Sequence, residues 1–277
     1  MTKARVGIII DGLTSSKQIF DFIKMSTKSN NYEITHLIVQ RKNDNLIKKF
    51  KDYLKSKGIK KFLNAISFKI LLKIESIFLR RHKKYSDFFK DYNLHEFDLE
   101  HIEVKPIISN NGFIYRYCDE DLNKIKSLNL NLLIRGGTGI LKGKILNVCE
   151  NGIISFHHGD NDFYRGGPPG FWEIKNKDVR TGFIIQRLSE ELDNGEVLFK
   201  GFFLTHWIYT INLINLLEKS NEFLYNVIDN ITSKKLKISF DVKKSQSPIY
   251  TLPSVSVQLC YFFLVIKKVI KRSINKI

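Results

Sequence analysis

The sequence predicts an α/β fold with a mostly parallel sheet, an inserted basic amphipathic helix and a helical C-terminal extension. Three features predict it. An apolar run over residues 6–10 is followed by Ile19, Phe22 and Ile23 at helical spacing behind a Ser/Thr start signal, and then by "YEITHLIVQR". Strand, helix and strand at this separation make a parallel βαβ unit. Strand-like runs recur as "HIEVKPII", as "LNLLIRGGTG" and over residues 153–156, with a helical segment over residues 120–128. After about Thr205 the pattern changes to long helices, first over residues 207–231 and then to the end of the sequence.

The run 6–10 stops at Asp11, too soon for the apolar core of a secretory leader, and so reads as a buried first strand. The third strand is delayed by "LKSKGIKKFLNAISFKILLKIESIFLRRHKKYSDFF". Ile59, Leu63, Ile66, Ile70, Ile74 and Ile77 share one helical face there, with Lys60, Lys61, Lys69, Lys73, Arg80, Arg81, Lys83 and Lys84 elsewhere. This defines a basic amphipathic insertion over about 50–92. "KGKILNVC" reads as a helix, and "TGFIIQRL" and "EVLFKGFFL" as paired strands flanking the polar "SEELDNG". Residues 236–242 read as a short strand and "SPIYTLP" as a linker. The sheet domain thus covers 1–205, and a mainly helical region with a basic tail covers 206–277.

The formal net charge of +17 points to an anionic partner, although the abundance of Lys, Ile and Asn assigns part of it to base composition. The lysines crowd onto 60–84 and 267–276, beside the apolar faces of 59–77 and 259–266. Two arrangements stay open for those faces: packing on one another, or lying on an anionic membrane surface at the inner face. The 259–266 block is shorter than the roughly 20 apolar residues that a bilayer span needs. Cys118, Cys149 and Cys260 are odd in number, far apart and without metal-ligand spacing, which fits a reducing, cytoplasmic setting; no metal is expected.

"GIISFHHGDNDFYRGGPPGFWEI", residues 152–174, is the chemically dense stretch. So many polar groups after a strand are costly to hold inside a fold unless something binds them. Ser155 and His157, two apart on a strand, share a face, and His158 points to the opposite one, toward packing or loop hydrogen bonds. Asp160, Asn161 and Asp162 read as turn formers, the alternative being a metal site with the two histidines, for which the sequence offers no second ligand cluster. Arg165 either ties the loop down or grips an acceptor phosphate, and Trp172 reads as core. The turn Gly136, Gly137, Thr138 and Gly139 is no P-loop, since Thr138 replaces the first glycine and Ile145 the hydroxyl residue. A tight turn at the carboxyl end of a strand is still where α/β sheets hold ligands.

The ordered series of Ser155 and His157 on a strand, Arg165-Gly166, Thr181-Gly182 and "LDNG" over 192–195 resembles the folate-dependent formyltransferases. That family includes the methionyl-tRNA, glycinamide ribonucleotide and sugar N-formyltransferases. The resemblance is strong over roughly 128–203, compatible back to Val6 and absent after about Thr205. It implies a Rossmann-like sheet, 10-formyltetrahydrofolate as formyl donor, held at Gly136, Gly137, Thr138 and Gly139, and an amine that attacks the formyl carbonyl. The family's catalytic His falls on His157 and its Asp on Asp193, while its Asn falls on Ser155, a shorter side chain without an amide. Asn161 or a water is the candidate replacement for that amide, and Gly159 and Asp162 replace the family's Ser and Pro. His-His-Gly-Asp-Asn with Arg-Gly-Gly-Pro and Phe-Trp-Glu resembles a branch associated with surface glycans. That branch implies a small-molecule acceptor, the amine of a nucleotide- or lipid-linked amino sugar contacted by Asn161 and Arg165, rather than a nucleic acid. Hydrolysis or another acyl or one-carbon transfer on the same fold, and a membrane-associated scaffold without strong catalysis, remain open.

Overall fold

The computed structural model describes residues 2–41, 46–110, 112–191, 195–235 and 247–274, with the backbone alone for 46–57 and 272–274. Seven strands form the central sheet: β1 Ala4–Ile10, β2 Tyr32–Gln40, β3 Glu100–Val104, β4 Leu132–Arg135, β5 Ile153–His157, β6 Arg180–Arg187 and β7 Glu196–Leu204. Their spatial order is β7-β6-β5-β4-β1-β2-β3. The five strands from β3 to β5 pair in parallel, and β6 and β7 add on antiparallel. The principal helices are α1 Lys17–Ser26, α2 Leu46–Leu79, α3 Asp119–Ser127, α4 Phe171–Asn176, α5 Tyr209–Thr232 and α6 Val255–Ile274.

Side-chain alternation sorts the strands into two cores. Ile8, Ile10, Ile134, Ile154 and Ile185 meet Ile19, Phe22 and Ile23 of α1 and Leu224, Val227 and Ile228 of α5 on one face. Ile9, Ile38, Leu133 and Ile153 meet Leu122 and Ile125 of α3 on the other. A sheet buried on both faces reads as unbroken apolar runs, which is why β1 and β4 are so continuous in sequence. Because α5 supplies part of the first core, the region after Thr205 packs directly on the sheet.

The insertion helix docks by a face other than its isoleucine stripe. Its backbone breaks at Gly58, where φ is 72° and ψ 164°. Beyond the break, Phe68 and Leu71 dock against Phe171, Tyr209 and Tyr261, an aromatic knot joining α2, α4, α5 and α6. Ring centroids in the knot lie 5.4 to 5.6 Å from Phe171. Glu75, the one acidic residue over 59–79, turns inward and accepts from the Thr210 N–H at 2.7 Å and from the Tyr261 hydroxyl. The isoleucine stripe therefore stays outside, with Ile59 72%, Ile70 55% and Ile77 46% exposed. Helices α2 and α6 do pack on one another, and each keeps an apolar face to solvent. Among the described residues no helix is long and apolar enough to cross a membrane.

Two further details differ from the sequence reading. "KGKILNVC" forms only a single 3₁₀ turn, Lys144–Asn147. Within the linker, Ile249–Tyr250 pairs in parallel with Arg165–Gly166, so this segment roofs the polar loop. Residues 236–242, expected as a strand, lie outside the described residues.

Candidate active site

The sheet order reverses at β1, whose neighbours β2 and β4 lead the chain outward in opposite directions. Loops that leave the carboxyl ends of strands at such a point diverge and open a crevice. A cleft of about 330 Å³ lies there, lined by Arg135, Gly136, Gly137 and Gly139 after β4, Ser155 and His158 around the end of β5, and Gln186 of β6. Its volume is at the lower end of the range for small-molecule pockets.

The glycine turn is built from below. Asp11, following β1, accepts from the Thr138 backbone N–H at 2.9 Å and from Gln40 Nε2 at 2.8 Å. Tyr117 in turn donates to Gln40 Oε1. Gly139 has φ of 92°, and a Cβ there would stand 2.7 Å from the Tyr115 ring, so both conformation and space require glycine. Three of the four residues expected to hold a ligand line the cleft, and Thr138 instead uses its backbone to tie the turn to Asp11.

Arg135 closes the floor. It is 6% exposed, and Nη2 donates to the Gly139 carbonyl at 3.1 Å. Nε and Nη1 are buried with no hydrogen-bond partner among the described residues. Burial lowers its pKa, a shift opposed by Tyr117 and Asp11. A guanidinium with open donors in a cleft suits a ligand bearing carbonyl, ring-nitrogen or carboxylate acceptors.

Strand β5 brings Ser155 and His157 to one face, as their spacing predicts. The Ser155 hydroxyl donates to the Phe156 carbonyl at 3.1 Å. His157 is 8% exposed, with Nε2 3.2 Å from the Tyr164 carbonyl oxygen, at the edge of the cleft rather than in its lining. His158, expected to pack or to hydrogen-bond within the loop, lines the cleft. Its Nε2 is 3.2 Å from Ser220 Oγ and 3.3 Å from Gln18 Nε2, and its ring stacks on Phe156 at 5.3 Å. Burial, assisted by the nearby His157, pushes His158 down to about 3, so its ring is neutral near pH 7.

The loop after β5 is a separate construction. Asp162 N–H donates to Asp160 Oδ1 at 3.0 Å, the Asp160 carbonyl accepts from Phe163 and Tyr164, and Lys200 of β7 bridges Asp160 and Asp162. Asn161 is 5% exposed, and its carbonyl accepts from Ser247 Oγ at 3.0 Å. Arg165 sits on the strand pair with Ile249–Tyr250, beside Trp172, whose Nε1 donates to the carbonyls of Gly167 and Thr251. Neither Asn161 nor Arg165 lines the cleft. Asp193 lies outside the described residues; Glu191 and Gly195 on either side of its segment both line the cleft.

No family model matches the chain. The methionyl-tRNA formyltransferase of Clostridioides difficile (strain 630) is 35% identical over 82 residues, 29% of this chain and 26% of that protein. Glycinamide ribonucleotide transformylase 1 from Symbiobacterium toebii shares the fold over 86% of this chain and 91% of its own, at 10% identity and a TM-score of 0.57. The chain has the fold of the formyltransferases. A sugar N-formyltransferase from Shewanella sp FDAARGOS_354 also matches this family fold, at 16% identity and a TM-score of 0.51 over 88% of this chain and 76% of that one. The chain spans about a quarter of the length of the first curated relative it matches.

Gln186, Arg135 and His158 are polar cleft residues that the sequence reading did not assign to the site. Gln186 is placed by cross-strand register, Arg135 by its position at the end of an apolar strand, and His158 by the turn that follows β5. The available signals were an arginine closing the buried run "LLIR" and a lone glutamine within the apolar strand "TGFIIQRL".

Proposed function

We infer that the chain transfers a formyl group from 10-formyltetrahydrofolate to the amine of a small molecule, an amino sugar carried on a nucleotide or lipid phosphate. The observation that carries this reading is the cleft at the sheet's switch point, glycine-walled, floored by the open donors of Arg135 and lined by Ser155 of β5, the strand that ends at His157. The residues present fit such a donor: Arg135 and the backbone of Gly136, Gly137 and Gly139 would hold a polar heterocycle. When bound, the donor supplies an activated formyl carbon. His157 accepts the proton that the attacking amine loses, and Asp193 fixes the ring's tautomer and orientation. In this reading Asn161 and Arg165, on the segment after β5, contact the acceptor. In this reading 1–205 is the catalytic domain and 206–277 the region that adapts it to its acceptor, as acceptor contacts lie in loops and additions rather than in the shared sheet.

The location proposed is peripheral, at the anionic inner face of the cytoplasmic membrane. Ile66, Ile70 and Ile74 of α2 and Leu259, Phe263 and Ile266 of α6 are exposed on neighbouring helices. Exposed apolar side chains gathered on one face mark an interaction surface. Lys60, Lys61, Lys69, Lys73, Lys267 and Lys268 are exposed around them, and α6 carries no acidic residue. Apolar burial and cationic attraction then act together, the latter contributing about 1 kcal/mol per basic residue near the leaflet.

The test incubates the full chain with 10-formyltetrahydrofolate and nucleotide-linked 3-amino and 4-amino sugars and follows the formylated sugar by mass spectrometry. Formylated sugar is the expected product. Formate release without transfer would assign the cleft to hydrolysis, and no consumption of donor would leave a scaffold.

A further inference from the structure

Gln186 is a buried amide whose place in the cleft nothing above explains. It is 3% exposed and lines the cleft. Its Oε1 is buried with no hydrogen-bond partner among the described residues. Native proteins seldom leave such a group open, and one that faces a pocket points to a ligand. The two ends of the amide exchange by a half-turn, so the position now held by Oε1 is open to either the oxygen or the NH₂ group.

Register places this amide at the reaction centre. Gln186 stands directly opposite Ser155 in the antiparallel ladder of β5 and β6, and His157 stands opposite Ile184. Directly opposed residues project from the same face with Cβ atoms about 4.5–5.5 Å apart. The backbone closes in from the other side: a Cβ on Gly195 would lie 2.1 Å from the Arg187 carbonyl oxygen and 3.1 Å from Gln186 Oε1. Gln186 therefore reaches between Ser155 and the end of the segment that carries Asp193. Ser155 meanwhile donates its hydroxyl to its neighbour's carbonyl, and Asn161 lies on the loop beyond the cleft lining.

We propose that Gln186 supplies, from the adjacent strand, the amide donor to the formyl oxygen that Ser155 is too short to give. This rests on the formyl-transfer reading above. In the step it serves, the amine's lone pair forms a C–N bond to the formyl carbon and the C=O π pair moves onto the formyl oxygen, where Gln186 Nε2–H donates. That pair returns as the bond from the formyl carbon to the donor nitrogen breaks. The proton lost by the amine at His157 passes to the departing nitrogen. A donor aimed at charge that builds only during reaction stabilises the transition state more than the ground state.

Calorimetry with two folate analogues tests this without knowledge of the acceptor. One is 5-formyltetrahydrofolate, with a planar formyl group; the other carries a hydrated trifluoromethyl ketone at the formyl position, which mimics the tetrahedral carbon and its oxygen. Gln186→Ala and the near-isosteric Gln186→Met should each weaken the tetrahedral analogue by about 100-fold, the usual cost of one such donor, and the planar one by less than about threefold. Adding Ser155→Asn to Gln186→Ala should restore most of the loss. Circular dichroism confirms that each variant is folded. Equal weakening of both analogues, no weakening in either variant, or no recovery with Ser155→Asn overturns the role of Gln186. A wild-type chain that binds neither analogue overturns the donor reading itself, and the proposal with it.

Discussion

The cleft at the end of the sheet and the groove between α2 and α6 are the two hollows that matter, and they are opposites. The first sets glycine backbone, the amides of Gln18 and Gln186, Ser155 and the Arg135 guanidinium among apolar side chains such as Ile19, Ile140 and Leu188. The second, about 220 Å³, is lined almost wholly by carbon, including Ile70, Leu71, Ile74, Leu259 and Phe262. Buried polar groups recognise by direction, since each donor or acceptor must find its complement or remain unsatisfied. An apolar face fringed with exposed lysines recognises by area and field, without fixed geometry, and its electrostatic part is weakened by salt. The same chain thus presents one hollow rich in directional polar groups and another that is apolar with lysines around it. Helix α4 connects them: Phe171 and Trp172 belong to the aromatic knot that docks α2 and α6, and Glu173 is buried on the side of Asp160 and His157.

The sharpest way to break this contrast is to disable the cleft alone. His157→Ala and Asp193→Asn should each lower kcat by at least about a hundredfold, the usual contribution of a positioned acid or base. Membrane binding and circular dichroism should not change. Near-normal turnover in both variants would remove them from the chemistry.

A second perturbation acts on the connection. Burial raises the Glu173 carboxyl to about 7, with Asp178 and Asp160 adding to the shift and a backbone hydrogen bond and His157 opposing it. Its folded pKa lies above its unfolded value, so the folded state binds the extra proton between about pH 4.5 and 7. Its contribution is therefore fully favourable below about pH 4.5, declines as pH rises through 7 and is constant above that. Glu173→Gln should flatten this part of the stability profile and raise stability at pH 8 by up to about 3 kcal/mol, from roughly 1.4 kcal/mol per pKa unit. Urea denaturation at pH 5 and pH 8 measures it. An unchanged pH slope would show that Glu173 is already ionised when folded.

The smallest expected effect is on the outer surface. Full-length protein should float with anionic liposomes at low salt and less so at high salt or with neutral ones. Replacing Lys69, Lys73, Lys267 and Lys268 by Gln should reduce that binding at least about tenfold, because each removes part of the attraction to the leaflet, while turnover on a soluble acceptor stays the same. Equal binding by both proteins would separate the lysines from the surface's purpose.

Sequence alone made the sheet legible because alternation and unbroken apolar runs are local signals. Residues 6–10, "LNLLIR" and the paired strands around "SEELDNG" all fall where expected. The insertion helix was legible as a helix but not in orientation. It has an isoleucine stripe and also Phe68, Leu71 and Leu72, and periodicity cannot tell which face finds the aromatic knot. Ser155 was legible because it stands in the chemically dense stretch, and the structure puts it in the cleft lining, whereas His157, two residues on, is not in that lining. Gln186 and Arg135 were not legible, since only the register of β6 on β5 and the closing of β4 beside β1 bring them into one cleft.

The measurement that tests the central claim most directly is the fate of the formyl group itself. With isotopically labelled 10-formyltetrahydrofolate and a nucleotide-linked amino sugar, the account predicts label in the sugar's amide and an equal amount of tetrahydrofolate, with both abolished in His157→Ala. Label recovered only as formate, or label in the sugar at undiminished rate with His157→Ala, would contradict it.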